Sequence, residues 1–226
     1  VRAIVIVCMD ICPTCSSEYT SLGTHFRYSP EHRIDITDKQ HEIIQGLLLG
    51  DGTIYGRRDG KNENAFLSVT MNNEMFIDYL VEKFGWLSRN KHSSYTNGAE
   101  YYIFQTRSHP QLNKYKEWYN PEKEWPEIII TPTILKYLYI SDGTYDTENS
   151  HNRIMISCSK EGENKNKVLR MFEESGYPVD RTYEYERKGR YNDFQLWFNT
   201  QSTQRMFNDM GEPDPGFEYK WPDRKV

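Results

Sequence analysis

Ile44–Gly52 reads I-Q-G-L-L-L-G-D-G and runs into Thr53; Leu135–Gly143 reads L-K-Y-L-Y-I-S-D-G and runs into Thr144. The two Asp-Gly-Thr triplets lie 91 residues apart. After each comes a β-like run, Ala65–Met71 and Arg153–Ser159. A helical pattern follows, Glu74–Phe84 and Lys165–Ser175, stopped by Gly85 and Gly176. A second strand pattern, Tyr101–Thr106 and Phe194–Asn199, starts about 50 residues after each Asp. One order of elements kept twice at matching offsets marks an internal repeat. The expected fold is therefore α+β, with two pseudo-symmetric αββαββα units at residues 37–126 and 127–226. An N-terminal arm, residues 1–36, precedes them.

Both quoted stretches begin as well-signalled helices. Thr37 and Gln40 have the spacing of a capping box, and Thr131 precedes Pro132, which suits the first helical position. Each helix ends where Asp-Gly takes over. Gly46 and Gly50 are four apart and share a face, which allows another helix backbone to come close. Two buried helices followed by ordinary Asp-Gly turns would also read this way. That alternative does not explain why both end in a carboxylate at the same place.

The chain has 226 residues, 37% of them hydrophobic and 14% aromatic, enough apolar material for a sizeable core. No apolar run approaches the ~18 residues that span a bilayer, and the run Ala3–Met9 is short for a signal peptide. A cytoplasmic protein is expected, nucleoid-associated if prokaryotic, with Met9 a candidate start and residues 1–8 an upstream extension. Four cysteines are too few for a disulfide scaffold at this length. The net charge of −5 argues against a generally sticky nucleic-acid binder and leaves room for local basic surfaces.

The two motifs, with Asp51 and Asp142 at their ends, resemble those of single-chain LAGLIDADG homing endonucleases, a likeness extending over about Thr37–Lys220. The resemblance implies two motif helices side by side on a pseudo-twofold axis, beneath a β-saddle that straddles DNA. It implies that Asp51 and Asp142 meet there and hold Mg²⁺, with the carbonyls of Gly50 and Ser141 completing the coordination. Hard oxygen donors suit that ion, and bound metal ions activate water and clamp the attacking and leaving oxygens. The second motif departs from the pattern at Tyr137 and Ser141, where smaller residues are usual. A tyrosine packed over Gly46 or Gly50 would make the helix pair asymmetric.

The resemblance also implies a basic residue beside each scissile phosphate, where it would stabilise the charge that develops at phosphorus. Tyr119–Pro126 (Y-N-P-E-K-E-W-P) offers Lys123, and Gly216–Trp221 (G-F-E-Y-K-W) offers Lys220, 72 and 78 residues after the respective acids. Two surface lysines are the plainer alternative. Strand alternation puts Ser68, Thr70 and Asn72 on one face of the first unit, and Arg153, Ser157 and Ser159 on the corresponding face of the second. Such residues can address base edges in the major groove. Gln105, Arg107 and Gln195 join them, and Arg57, Arg58, Lys61, Arg181, Arg187, Lys188 and Arg190 are placed to meet phosphates. For any one of these, a solvated sheet face explains the residue equally well.

Cys12-Pro-Thr-Cys15, then Tyr19, Leu22, His25 and His32, read as a compact Cys₂His₂ zinc site. The six residues between the histidines exceed the usual three to five. A metal-free arm with incidental Cys and His is the alternative. With zinc, the segment would extend contact with DNA or serve structure alone.

The expected function is metal-dependent double-strand cleavage at a long asymmetric DNA site by a monomer, leaving short 3′ overhangs as the family does. Lacking a His-Asn terminus, the chain reads as a free-standing, intron-encoded product. The rival readings are a maturase that binds intron RNA and a DNA-binding regulator that does not cut. Retention of both acids weighs against each rival.

Overall fold

The structure, a computed structural model, describes residues 10–56, 64–89, 91–96, 98–119, 122–147, 152–159, 161–187 and 190–222. Its centre is a pair of helices, α2 (Asp38–Leu49) and α4 (Pro132–Asp142). The Thr37 hydroxyl accepts from the Gln40 N–H, and the Gln40 side chain accepts from the Thr37 N–H, so the capping box forms. Thr131 caps Ile134, with Pro132 in the first turn.

α4 is apolar on nearly every side and is buried accordingly. The helices approach to backbone contact because α2 is trimmed to glycine where they cross. A Cβ on Gly46 would lie 2.6 Å from the Ile134 carbonyl oxygen and 2.7 Å from the Tyr137 Cβ. One on Gly50 would lie 2.2 Å from the Ser141 Cβ. Tyr137 thus covers Gly46 while Ser141 faces Gly50, and the Tyr137 ring runs on to Phe76, 6.2 Å away. The unusual residues of the second motif fill the hollows left by the glycines of the first.

Each motif helix feeds an antiparallel four-stranded sheet. β3 (Gly52–Tyr55), β4 (Phe66–Met71), β5 (His92–Thr96) and β6 (Ala99–Gln105) are ordered β3-β4-β6-β5. β7 (Gly143–Asp146), β8 (Arg153–Cys158), β9 (Arg181–Arg187) and β10 (Arg190–Trp197) repeat that order, β7-β8-β10-β9. One face of each sheet joins the core through Leu67, Val69, Phe104, Ile154, Ile156 and Leu196, and one continuous apolar cluster links both units. α3 (Glu74–Phe84) and α5 (Lys165–Glu174) follow the second strand of each sheet, as the sequence indicates.

Two expectations change. The closing helix of the first unit, Pro110–Trp118, is a 3₁₀ helix, because its buried residues Leu112, Tyr115 and Trp118 recur every third position, the period of that helix. The second unit closes with a true α-helix, α6 (Thr200–Met210). The last strand ends at Trp197 rather than Asn199, whose side chain accepts from the Ser202 N–H and caps α6.

At the N-terminus, β1 (Asp10–Ile11), β2 (Glu18–Tyr19) and α1 (Leu22–Tyr28) form a small module. Among the described residues, its buried apolar centre consists of Cys12, Leu22 and Phe26. It docks on the first unit: Asp10 receives the Arg107 guanidinium at 2.9 and 3.0 Å, and the Ile36 N–H donates to Gln111 at 2.7 Å. Trp86 packs against both the module and the main core. Among the described residues, no helix is long and apolar enough to cross a membrane.

Candidate functional site

Glycine at position 50 brings the two acids together. α2 ends at Leu49 and hands Asp51 to the junction with β3, while Asp142 closes α4 directly before β7. The space a Gly50 side chain would take lies 3.3 Å from Asp142 Oδ2, so that carboxylate reaches across to the end of the other helix. Burial and the neighbouring Asp51 charge push Asp142 up to about 6, against the pull of Lys123 and Lys220. Burial also raises Asp51, the more solvent-open of the two, and the same two ammonium groups oppose the rise. Burial lowers Lys220, which both acids counter.

The lysines arrive as pseudo-symmetric mates. Lys123 Nζ donates to the Gly50 and Gly52 carbonyls. Lys220 Nζ donates to the Ile140 and Gly143 carbonyls at 2.7 and 2.8 Å. A cation at a helix C-terminus satisfies carbonyls that have no partner within the helix and complements its dipole. Each ammonium is therefore fixed within reach of the acids' electrostatic field. The Gly50 carbonyl, expected to face a metal, accepts from Lys123, with a second lone pair left to share. The Ser141 hydroxyl turns back to the Tyr137 carbonyl at 3.0 Å. Two neighbouring carboxylates, both raised by burial and Asp142 also by the Asp51 charge, form a hard-oxygen donor set whose repulsion a divalent cation relieves.

On the open face of the first sheet, Thr70 and Asn72 are exposed and Gln105 is half-buried. Ser68 lies between Thr53 and Gln105 in register and is buried at 8% exposure, so its hydroxyl is not an open reading group. Arg107 does not face outward with them. Its guanidinium is held by Asp10 and the Trp86 carbonyl, and it clamps the N-terminal module instead.

On the second sheet, half-buried Arg153 stands opposite Asp146, Ser157 pairs with Gln195, and Ser159 is exposed in the following turn. Arg181 lies 4.5 Å over the Trp197 ring. Arg187 and Arg190 pair at the end of the β9–β10 ribbon, but their side chains are outside the description. Arg57, Arg58, Lys61 and Lys188 lie outside the described residues.

The sequence reading missed the aromatic content of these open faces. Tyr55 stacks on Phe66 at 5.4 Å, and exposed Tyr183 stacks on Tyr185 at 6.4 Å. Strand alternation in T-Y-E-Y-E at 182–186 could have flagged the second pair. His92 and Ser94 lie on the edge strand β5, which carries no apolar alternation to announce it.

The four N-terminal residues converge: one ligand atom from each of Cys12, Cys15, His25 and His32 lies within 4.8 Å of all the others. Cys15 Sγ is 3.7 Å from His25 Nε2, which is 3.0 Å from His32 Nδ1. Tetrahedral zinc with ordinary bond lengths needs separations of about 3.5 and 3.3 Å for such pairs. The knuckle closes through Cys12 N–H to the Ser17 carbonyl and Ser16 N–H to the Cys12 carbonyl, with Ser16 at φ 58°. The Ser17 backbone N–H, then the Ser17, Tyr19 and Cys12 side chains, lower Cys15 to about 6 against a smaller opposing effect of burial. Thiolate character of that kind favours metal ligation. The long interval between the histidines is taken up by the 3₁₀ turn Pro30–His32, which folds His32 back beside α1.

Residues 41–206 match the model of the LAGLIDADG DNA endonuclease family. The fold is shared with solved structures, among them the following two. The homing endonuclease I-WcaI bound to its DNA recognition sequence is 16% identical, with a TM-score of 0.67 over 86% of this chain and 91% of that one. I-DmoI in complex with DNA and Ca is 14% identical, with a TM-score of 0.52 over 79% and 94% of the two chains. No curated protein sequence matches the chain.

Proposed function

The chain belongs to the LAGLIDADG DNA endonuclease family, and from that premise we propose that it is a monomeric, site-specific enzyme that hydrolyses both strands of a long, asymmetric DNA duplex. One observation carries the reading. Two carboxylates meet at the ends of paired helices, and each helix end holds its own ammonium group.

Asp51 and Asp142, with backbone carbonyls beside them, would hold Mg²⁺. When bound, such ions supply an activated water and a clamp on the attacking and leaving oxygens. The protein's own contribution is positional. Close packing at Gly46 and Gly50 sets the two carboxylates at one point, so one centre can address each strand. Lys123 and Lys220 present fixed positive charge where the phosphate gains negative charge, without reorganisation during reaction.

The open sheet faces then read the duplex. The first carries Thr70, Asn72 and the Tyr55–Phe66 stack; the second carries Arg153, Arg181 and the Tyr183–Tyr185 stack. Polar side chains suit base edges and aromatic ones suit thymine methyls. Because the two faces differ, the two half-sites should differ. Residues 37–126 and 127–226 would act as the two half-site units. Residues 1–36 would form a zinc-held module, since the apolar centre among the described residues, Cys12, Leu22 and Phe26, is small for a fold of its own.

The test is incubation of the protein with a randomised duplex library in Mg²⁺, followed by sequencing of the cut ends. Double-strand cuts at a single long consensus support the reading. Tight binding without cleavage in Mg²⁺ or Mn²⁺ refutes it and favours a binding protein on the same fold.

A further inference from the structure

Lys123 and Lys220 each ride on an irregular strap, and each strap is anchored in the other unit. The first strap places Lys123 against the end of α2. Two residues on, Trp125 is buried and its backbone N–H donates at 3.1 Å to Glu161, which stands between β8 and α5 in the second unit. Glu161 is itself only 2% exposed, and its other oxygen accepts from Asn164 at 3.3 Å. The second strap places Lys220 against the end of α4. Just before that lysine, Phe217 packs edge-on against Phe76 of the first unit at 5.0 Å. The Gly216 carbonyl accepts from the Asn73 amide, while the Asn73 side-chain oxygen caps α3 through the Phe76 N–H at 3.1 Å.

Asn73 and Glu161 occupy the same place in the repeat, the turn between the second strand of the sheet and the helix after it. A buried carboxylate that accepts a strap N–H, and an amide that divides its two ends between a helix cap and a strap carbonyl, are more than filler. Buried polar groups of this kind fix one geometry because leaving a partner unpaired is costly. On its C-terminal side Lys220 is held within its own unit, where the Trp221 indole N–H donates to the Gly211 carbonyl at 2.8 Å, so Asn73 supplies the hold on the N-terminal side of the strap.

From this crossing we infer that Asn73 and Glu161 are positioning residues acting across the pseudo-twofold axis. Asn73 sets Lys220, and Glu161 sets Lys123. The inference rests on the nuclease reading above, in which the shared acid pair serves both strands and each lysine serves one. It adds that each lysine is set by a residue of the opposite unit, so that damage to one anchor is felt at one strand.

The readout is strand-resolved cleavage of a duplex bearing the site recovered with wild type, with a different fluorophore on each strand. Lys123→Met and Lys220→Met establish which strand each lysine serves. Asn73→Asp keeps an oxygen to cap α3 and removes the donor to Gly216. It should slow the strand that Lys220→Met slows, by about tenfold, and leave the other within about twofold; tenfold is the rate effect of one lost hydrogen bond. Glu161→Leu should bias cleavage toward the opposite strand, and Glu161→Gln, which retains an acceptor for the Trp125 N–H, should recover most of the loss. Gly216→Ala attacks the same contact from the strap, since its Cβ would meet the Asn73 amide at 2.3 Å, and it should reproduce the Asn73→Asp bias if that variant folds poorly.

Equal slowing of both strands by the anchor variants, or by the lysine variants, overturns the inference, because loss of stability alone has no strand preference. So does a bias opposite to that of the matching lysine. A wild type that cuts no DNA defeats the nuclease reading itself, and the inference with it.

Discussion

Replacing Asp142 by Asn should make the protein more stable above about pH 6 while removing double-strand cleavage. Asp142 is crowded by protein on most sides, and burial together with the Asp51 charge moves it from 3.8 to about 6. At about 1.36 kcal/mol per pH unit, that displacement amounts to roughly 3 kcal/mol of penalty on the charged form. Solvent on its open side and the coupling to Asp51 reduce this to about 1–2 kcal/mol. The sign follows from proton binding. Between about pH 4 and 6 the folded protein holds more protons than the unfolded chain, so this group's stabilising effect is complete below its unfolded pKa and is lost as pH rises through 6. Asn has nearly the same shape and carries no charge, so Asp142→Asn should gain about 1–2 kcal/mol at pH 8 and nothing at pH 4. Urea denaturation at the two pH values measures it, in buffer free of Mg²⁺ and without chelator, so that the zinc proposed for the N-terminal site is not stripped. Adding Mg²⁺ should then raise the stability of wild type and leave the variant nearly unmoved. A variant that is neutral or weaker at pH 8, or that gains equally at both pH values, would refute the picture of a repulsive acid pair awaiting a cation.

Three further outcomes follow from the packing and the charges. Gly50→Ala places a methyl 2.2 Å from the Ser141 Cβ and should cost about 3 kcal/mol by thermal or urea melt, while Gly23→Ala, open to within 3.7 Å, should cost far less. Removing zinc with a chelator, or Cys12→Ser, should unfold the N-terminal module, seen as new exposure of Trp86 fluorescence, since that ring bridges the module and the main core. Burial, with Arg33 nearby, lowers His109 to about 4, so its contribution to stability is present above about pH 6.5 and lost as pH falls toward 4. His109→Gln should therefore lessen the loss of stability measured by urea melts between pH 7 and 4.5, opposite in direction to the Asp142 effect.

The repeat, the motif helices and their caps were legible in the sequence because each depends on local signals. Thr37 with Gln40, Thr131 with Pro132, and Gly85 after Phe84 act within a few residues of themselves. That Tyr137 packs over a glycine of the first helix was legible too, since a large residue in one helix and a hollow in its mate are complementary, but the choice of Gly46 over Gly50 was not. Edge strand β5 was not legible either, because a half-solvated strand such as H-S-S-Y-T lacks the apolar alternation that marks a core strand, whereas β9 does carry an alternating T-Y-E-Y-E. Arg107 shows a different limit. Its position just past a strand suggests a DNA contact, and only the three-dimensional course of residues 10–36 reveals Asp10 as its partner. Lys123 and Lys220 were found by resemblance, but their hold on helix-end carbonyls, and the anchors Asn73 and Glu161, depend on contacts more than 30 residues apart.

As proposed, Asp51 and Asp142 form one shared centre in which each acid is needed. Its most direct test is Mg²⁺-dependent cleavage of the selected site by wild type, Asp51→Asn and Asp142→Asn, with linear, nicked and intact supercoiled plasmid resolved on one gel. Wild type should give linear product, and either variant, at undiminished DNA affinity, nicks at most. Linear product formed at the wild-type rate by either variant would contradict the shared centre.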